Sequence, residues 1–313
     1  MLLQIIKNGI KQRTPAILWK RLRDIYHKLL YYCVFFDIKL AGKRFYNKRK
    51  QISILFYPDE PQPFHEIYRL CHLLGYKKIN DLKARYDMAF NWQDATFRTN
   101  DADLSLLAKK MKVVNINCRD ISKKRVDAVF KEVFGYSAVI NPSTFYGDCL
   151  KKSDSNAMDA EMIIRCPIKT MEEGSIYQRL INNIVDGNLA QEIAVPFFAG
   201  SIPFAYLKYK LLDNRFGNCN LRIEITKFEK LVLQEEKEKI IIFCKKIGLD
   251  YGELEMIRDI DDKRLYIIDV NSTPIGPNGY ISPSQRITAL KKIAENFEAV
   301  FKHFIAEERM ICQ

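Results

Sequence analysis

The stretch YGELEMIRDIDDKRLYIIDVNSTP, residues 251–274, constrains the chain more than any other. It reads as two apolar strands joined by an Asp/Lys turn near Asp261–Lys263, a β-hairpin whose register follows from the turn. Residues i and i+2 of a strand share a face, so Asp269 and Asn271 point the same way. The turn puts Glu255 opposite residues 268–270, and a three-residue turn puts it opposite Asp269. Facing carboxylates repel and weaken a sheet, whereas a divalent cation between them turns the repulsion into a binding site. Glu255, Asp269 and Asn271 together offer the hard oxygen donors that Mg²⁺ takes. A polar turn ending a strand is the plainer reading of the same residues.

Charge is informative once it is located. The formal net charge is +12, but residues 1–50 hold thirteen Lys or Arg against Asp24 and Asp37, so the rest of the chain is nearly neutral. The basic excess is therefore a property of an N-terminal extension and not a nucleic-acid signature, and no nucleic-acid partner is expected. Within the extension Leu18, Leu22, Ile25, Leu29, Tyr32 and Phe36 recur at helical spacing, with Lys20, Arg21, Arg23 and Lys28 on other faces. Its apolar run LLYYCVFF is too short for the ~20 residues that span a bilayer. Such a helix suits an anionic membrane surface, or it packs on its own domain or on a second subunit. Lys7 interrupts the first apolar run and no small-residue cleavage site follows, so a signal peptide is not expected. Eight scattered Cys with no CxxC pair suit reduced thiols in a cytoplasmic protein, and four His make a His/Cys zinc site improbable. The expected location is cytoplasmic, with the extension suited to the inner face of the membrane.

Along the chain, QISILFY reads as a buried strand ending at Pro58. A helix follows with Ile67, Leu70, Leu73 and Leu74 on one face, stopped near Gly75. With the short runs YDMAFNW and KVVNIN, residues 51–114 form a small α/β unit. DISKKRVDAVFKEVFGY is a helix capped by Asp120 or Ser122, striped by Val126, Val129, Phe130 and Val133, and ended by Gly135. Strands are expected at SAVIN, GDCLKKS, EMIIRCPI, AQEIAVPFF and SIPFAYLKYKLL, the last two joined at Ala199-Gly200. A charged helix over FEKLVLQEEKEKIIIFCKKIG and a closing helix from about Gln285 to Phe304 complete the reading.

The hairpin resembles the C-terminal signature of ATP-grasp enzymes. In that family a Gly-x-x-acid strand leads to an acid-x-Asn-x-x-Pro segment, and the acid, acid and Asn hold the Mg²⁺ of Mg·ATP. The matching positions here are Glu255, Asp269 and Asn271. Upstream segments are similar in the same order. Lys123, with Lys124 as its neighbour, matches the Lys near a helix start in the first nucleotide-binding subdomain. Lys152 matches the strand Lys before the loop that covers the phosphates, although SDSNAMDA, unlike the family's loop, contains no Gly. Gln178, Arg179, Leu180 and Ile181 match the hinge whose backbone meets adenine, and Lys208, Lys210 or Arg222 the basic residue that approaches the γ-phosphate.

The resemblance implies an α/β (α+β) fold: an ATP-grasp core of two α+β subdomains over residues 115–313, with a hinge near 177–182. The small α/β domain, 51–114, and the basic extension, 1–50, precede it. It implies ATP as cofactor with one or two Mg²⁺ ions, or Mn²⁺ in their place. The implied reaction is ATP-dependent ligation of a carboxylate to an amine through an acyl-phosphate, releasing ADP and phosphate. The acceptor would be a peptide, an amino acid or an envelope polysaccharide component. A kinase acting on a hydroxyl, and a degenerate nucleotide-binding interaction module, use the same site.

Overall fold

A computed structural model describes residues 52–99, 101–155, 161–217, 219–276 and 280–311, with side chains of the last helix described to residue 301. The amphipathic helix expected within residues 1–50 and its membrane-facing role lie outside the described residues.

The N-terminal unit is a four-stranded parallel sheet in the order β2-β1-β3-β4, built from β1 (Ser53–Pro58), β2 (Lys77–Ile79), β3 (Met88–Trp92) and β4 (Val113–Val114). Helix α1 (Glu66–Leu74) carries the expected apolar face inward and stops at Gly75, whose φ of 69° is the left-handed conformation glycine adopts freely. A short helix, α2 (Ala102–Leu107), capped by the Asp101 side chain, was not signalled by periodicity.

The central element is a sheet in the order β11-β10-β9-β12-β13, with β8 (Ile184–Val185) also paired to β9. Its strands are β9 (Leu189–Phe198), β10 (Ala205–Leu211), β11 (Arg222–Thr226), β12 (Tyr251–Arg258) and β13 (Leu265–Asn271). Ala199 and Gly200, both at positive φ, turn the chain between β9 and β10, with Phe198 and Ser201 bonded to each other in both directions. One face of this sheet packs on helices α3 (Lys123–Phe134) and α4 (Gln234–Ile247) through Val126, Phe130, Ile240 and Phe243. Ser122 caps α3 and Gly135 ends it, both as expected.

A third sheet, β6-β5-β7, consists of β5 (Gly147–Ser153), β6 (Met162–Cys166) and β7 (Ser175–Arg179). This sheet and the central sheet both lie within residues 115–313.

The closing helix α5 (Pro283–Ile311) returns to the N-terminal unit. Phe297 and Phe301 pack with Phe90, and Phe198 and Tyr251 of the central sheet join the same cluster. The N-terminal unit and the central sheet thus share one hydrophobic core across the boundary expected at 114/115. Two expected elements differ, and one strand was not expected. SAVIN makes a single bridge, Val139 to Gln178, instead of a strand. The charged helix begins at Gln234, after a separate turn at Phe228–Lys230. RIEIT, not among the expected strands, forms β11. No helix among the described residues is long and apolar enough to cross a membrane.

Candidate functional site

A cavity of about 680 Å³, within the usual size range of ligand pockets, lies between the three-stranded sheet, the central sheet and the N-terminal unit. Its floor is the face of the central sheet opposite α3 and α4. Strand alternation selects the floor residues: Tyr206, Lys208 and Lys210 from β10, and Glu253, Glu255 and Ile257 from β12.

The expected pairing of Glu255 is present, although the turn is longer than three residues, with Arg258 paired to Leu265. Glu255 pairs directly with Asp269 and Glu253 with Asn271. Beyond Glu255 the register slips, so that Met256 pairs with Ile267 and Ile268 is the extra residue. This bulge brings both Ile268 and Asp269 to the cavity, a common use of bulges beside sites.

The charges on the floor are interlocked. Lys208 Nζ lies 2.7 Å from a Glu255 oxygen and 3.4 Å from Glu253, and Lys210 pairs with Glu192 at 2.8 Å. Lys208 holds the Glu255 carboxyl down at about 2, against the desolvation that burial imposes. Burial alone would lower the Lys208 ammonium, but Glu253 and Glu255 outweigh it and raise it. Desolvation lifts Asp269 to about 6, with Lys123 opposing and Glu255 adding to the rise.

The other predicted residues fall as follows. Lys123 and Lys152 are both buried and line the cavity. Lys123 donates to the Ser155 carbonyl at 3.3 Å, and Lys152 pairs with Glu161 at 3.1 Å. Lys124 instead turns outward towards Asp154. Gln178, Arg179, Leu180 and Ile181 all line the cavity. The Arg179 guanidinium is committed to Asp259 and Asp262 of the hairpin turn, and its backbone N–H to the Ala138 carbonyl.

Arg222 is not in the cavity. It pairs in register with Tyr209, which alternates with Lys208 and Lys210 and faces the helices. Arg222 therefore stacks on the Tyr209 ring and bonds Glu224 on the outer side.

The cavity has instead a different arginine, Arg215, in the β10–β11 connection, which donates to the Ile181 carbonyl at 3.0 Å. No periodic pattern marks Arg215. Also unanticipated are Asp94 and Thr96 from the N-terminal unit, and Asn183 and Asn220 near the hinge. The side-chain oxygens of Asn183 and Asn220 are buried without a hydrogen-bond partner, as is the Tyr206 hydroxyl. Buried orphans of this kind in a cavity mark places where a ligand or water completes the bonding.

The strand end after β13 is held from the N-terminal unit. Thr273 donates its backbone N–H to Asn271 Oδ1 at 2.9 Å and its hydroxyl to Asp94 at 2.8 Å. Buried Arg98 donates to the Ser272 hydroxyl. Among the described residues no group of three or more His, Cys, Asp or Glu gathers as a metal cluster. The donor set here is two opposed carboxylates and one carboxamide. Those hard oxygens fit Mg²⁺, and Glu255 already carries the charge such an ion needs.

No protein-family model matches the sequence, and no curated protein matches it. Solved structures do match the fold. A D-alanine–D-alanine ligase from Bacillus anthracis in complex with ATP is 11% identical, with a TM-score of 0.51 over 83% of this chain and 100% of that one. The ATP-grasp ligase PsnB, complexed with a phosphomimetic variant of its minimal precursor, Mg and ADP, is 14% identical, with a TM-score of 0.51 over 81% of this chain and 99% of that one. The same ligase with its minimal precursor gives a TM-score of 0.50 at 13% identity over 80% of this chain and 99% of that one. The chain has the ATP-grasp fold.

Proposed function

We propose that the protein is an ATP- and Mg²⁺-dependent ligase that joins a carboxylate to an amine through an acyl-phosphate. The observation that carries this reading is the direct opposition of Glu255 and Asp269 in a cavity that also holds Lys123, Lys152 and Lys208. Two carboxylates kept face to face, with phosphate-sized cations around them, suit a metal-bound triphosphate better than a packed core.

Glu255, Asp269 and Asn271 hold Mg²⁺ in this reading. When bound, that ion offsets the charge that builds up on the phosphoryl oxygens. Lys123 and Lys152 bind phosphate oxygens as point charges, and Arg215 is the further cation on this wall. The hinge residues 178–181, with the unfilled oxygens of Asn183 and Asn220, meet the base and ribose. Lys208 exchanges its hold on Glu255 for the transferring phosphoryl group.

The acceptor occupies the end of the cavity where the N-terminal unit contributes Asp94 and the sheet contributes Tyr206 and Glu253. Carboxylates here and cations at the nucleotide end suit an amine acceptor meeting an acyl-phosphate. One similar structure is a D-alanine–D-alanine ligase and the other a ligase complexed with its minimal precursor, so amino acids and peptides are the acceptors to screen first.

The deciding experiment is calorimetric titration with a non-hydrolysable ATP analogue, with and without Mg²⁺, beside the Glu255→Ala/Asn271→Ala double variant. Mg²⁺-dependent binding that disappears in the variant supports the reading. Wild-type protein that binds no analogue at millimolar concentration sinks it. Free phosphate released in step with an amide then separates a ligase from a kinase, which releases ADP alone.

A further inference from the structure

The eight cysteines are scattered in sequence, yet the fold brings two of them into contact. Cys149 on β5 and Cys166 on β6 have their sulfurs 3.1 Å apart, in the small core beneath the three-stranded sheet with Tyr177. The two strands pair with Cys149 opposite Ile164 and Gly147 opposite Cys166, so the thiols are diagonal neighbours on one face. At Gly147 there is no side chain between them, and its φ of 132° is one that glycine adopts readily.

We propose that Cys149 and Cys166 are a disulfide-forming modification site that staples β5 to β6 and thereby acts on Lys152. A disulfide requires the sulfurs to close by about 1 Å and the two Cβ atoms to come within about 4.5 Å of each other. Lys152 and its partner Glu161 both lie inside the loop that the bond closes. Lys152 lines the cavity three residues along β5 from Cys149, so fixing the strand pair changes how freely Lys152 moves. The coupling to Lys152 rests on the proposed nucleotide site. The cross-link itself does not.

The reaction balances with a peroxide as oxidant. Cys166, marginally the more exposed of the two, loses its proton, and its sulfur attacks a peroxide oxygen. The O–O bond breaks, giving a sulfenic acid and, for hydrogen peroxide, water. The Cys149 sulfur then attacks the sulfenic sulfur, the S–O bond breaks, and a second water leaves as the S–S bond forms. Two electrons pass from the thiol pair to the peroxide. Burial, and then the neighbouring Cys166 thiol, push the Cys149 thiol up to about 12.

The test treats the purified full-length protein with hydrogen peroxide, quenches and alkylates it under denaturing conditions, and maps the peptides before and after reduction. A Cys149–Cys166 cross-linked peptide, with two fewer alkylated thiols per chain and a Tm several degrees higher, is expected from closing a loop of about 17 residues. Both thiols remaining alkylatable, or pairing only with other cysteines, overturns the site. Cys149→Ser and Cys166→Ser each abolish the cross-link, and the wild-type peptide map stands alone if either variant fails to fold. Titration of Mg²⁺ and the ATP analogue into the oxidised and reduced forms should differ at least threefold in affinity. Equal affinities overturn the coupling to Lys152, whereas absent binding to the reduced form tells against the nucleotide site and leaves the cross-link standing.

Discussion

Lys208 Nζ sits 2.7 Å from Glu255, so a single ammonium holds in place the carboxylate that opposes Asp269. Replacing it by methionine keeps the stem and removes the charge. Glu253 and Glu255 are then left side by side on one strand face without the ammonium they share. The loss should be roughly 1–2 kcal/mol, below the 3–5 kcal/mol of a fully buried pair, because the Glu255 side chain is 32% exposed. Mg²⁺ should restore part of it. The check is the Tm of Lys208→Met and wild type at 0 and 10 mM Mg²⁺ (roughly saturating for a weak site). A Mg²⁺-induced rise no larger in the variant than in wild type sinks the idea that the ion and Lys208 share Glu255.

This pair also shows what was legible beforehand. Lys208, Lys210, Asp269 and Asn271 could be read because a strand period of two assigns a face without any tertiary knowledge. Arg222 failed on the same rule. Its face depends on its register against Tyr209, across a connection from Leu212 to Leu221 that is too long for a hairpin turn to fix the pairing. Asp94 and Arg215 enter the cavity through the packing of separate segments, which no local pattern records. The helix caps at Ser122 and Gly135 were local chemistry and were readable. The shared core of β3, β9 and α5 was not, since its apolar residues look the same whichever unit they join.

Ser272→Ala tests the brace from the N-terminal unit. Arg98 is buried, its Nε already lacks a partner, and it donates to the Ser272 hydroxyl. Removing the acceptor leaves a second buried guanidinium nitrogen short of a bond, at a cost of about 1–3 kcal/mol. Because Ser272 follows Asn271, Mg²⁺-dependent analogue affinity should fall severalfold as well. Urea denaturation and the titration read the two effects. Unchanged midpoints and affinity show that the brace is idle.

Gly252→Ala probes the approach of β12 to the strand end. A Cβ at residue 252 would lie 2.5 Å from the Asn271 carbonyl oxygen and 2.9 Å from Leu249 Cδ1. The Leu249 methyl can shift, but the Asn271 oxygen is backbone of the paired strand and cannot retreat easily. The added methyl should cost about 1–3 kcal/mol in overpacking and shift Asn271. Analogue affinity in Mg²⁺ should drop tenfold or more while Mg²⁺-free binding changes little. A variant that melts and binds like wild type would show that the strand end yields without consequence.

Glu66 gives the fold a pH dependence with a defined sign. It is buried behind the strand-end loop, its Oε1 accepts from Tyr251 at 3.1 Å, and its Oε2 has no partner. Burial first, and Glu253 second, push its carboxyl up to about 8 from an ordinary 4.5, with Arg69 and Tyr251 opposing. Between those values the folded chain keeps a proton that the unfolded chain has released. Stability from this group is therefore complete below about 4.5 and is lost as pH rises through about 8. Glu66→Gln keeps the shape and the Tyr251 bond and removes the titration. Wild-type Tm should fall more steeply from pH 5 to pH 8 than that of the variant, and the two curves should diverge in the variant's favour above neutrality. Glu192, Glu253 and Asp269 are raised in the same direction, so the variant's slope should be reduced and not abolished. Parallel curves across that range would mean that Glu66 ionises freely in the folded state, and that the cluster around it is wetter than its burial implies.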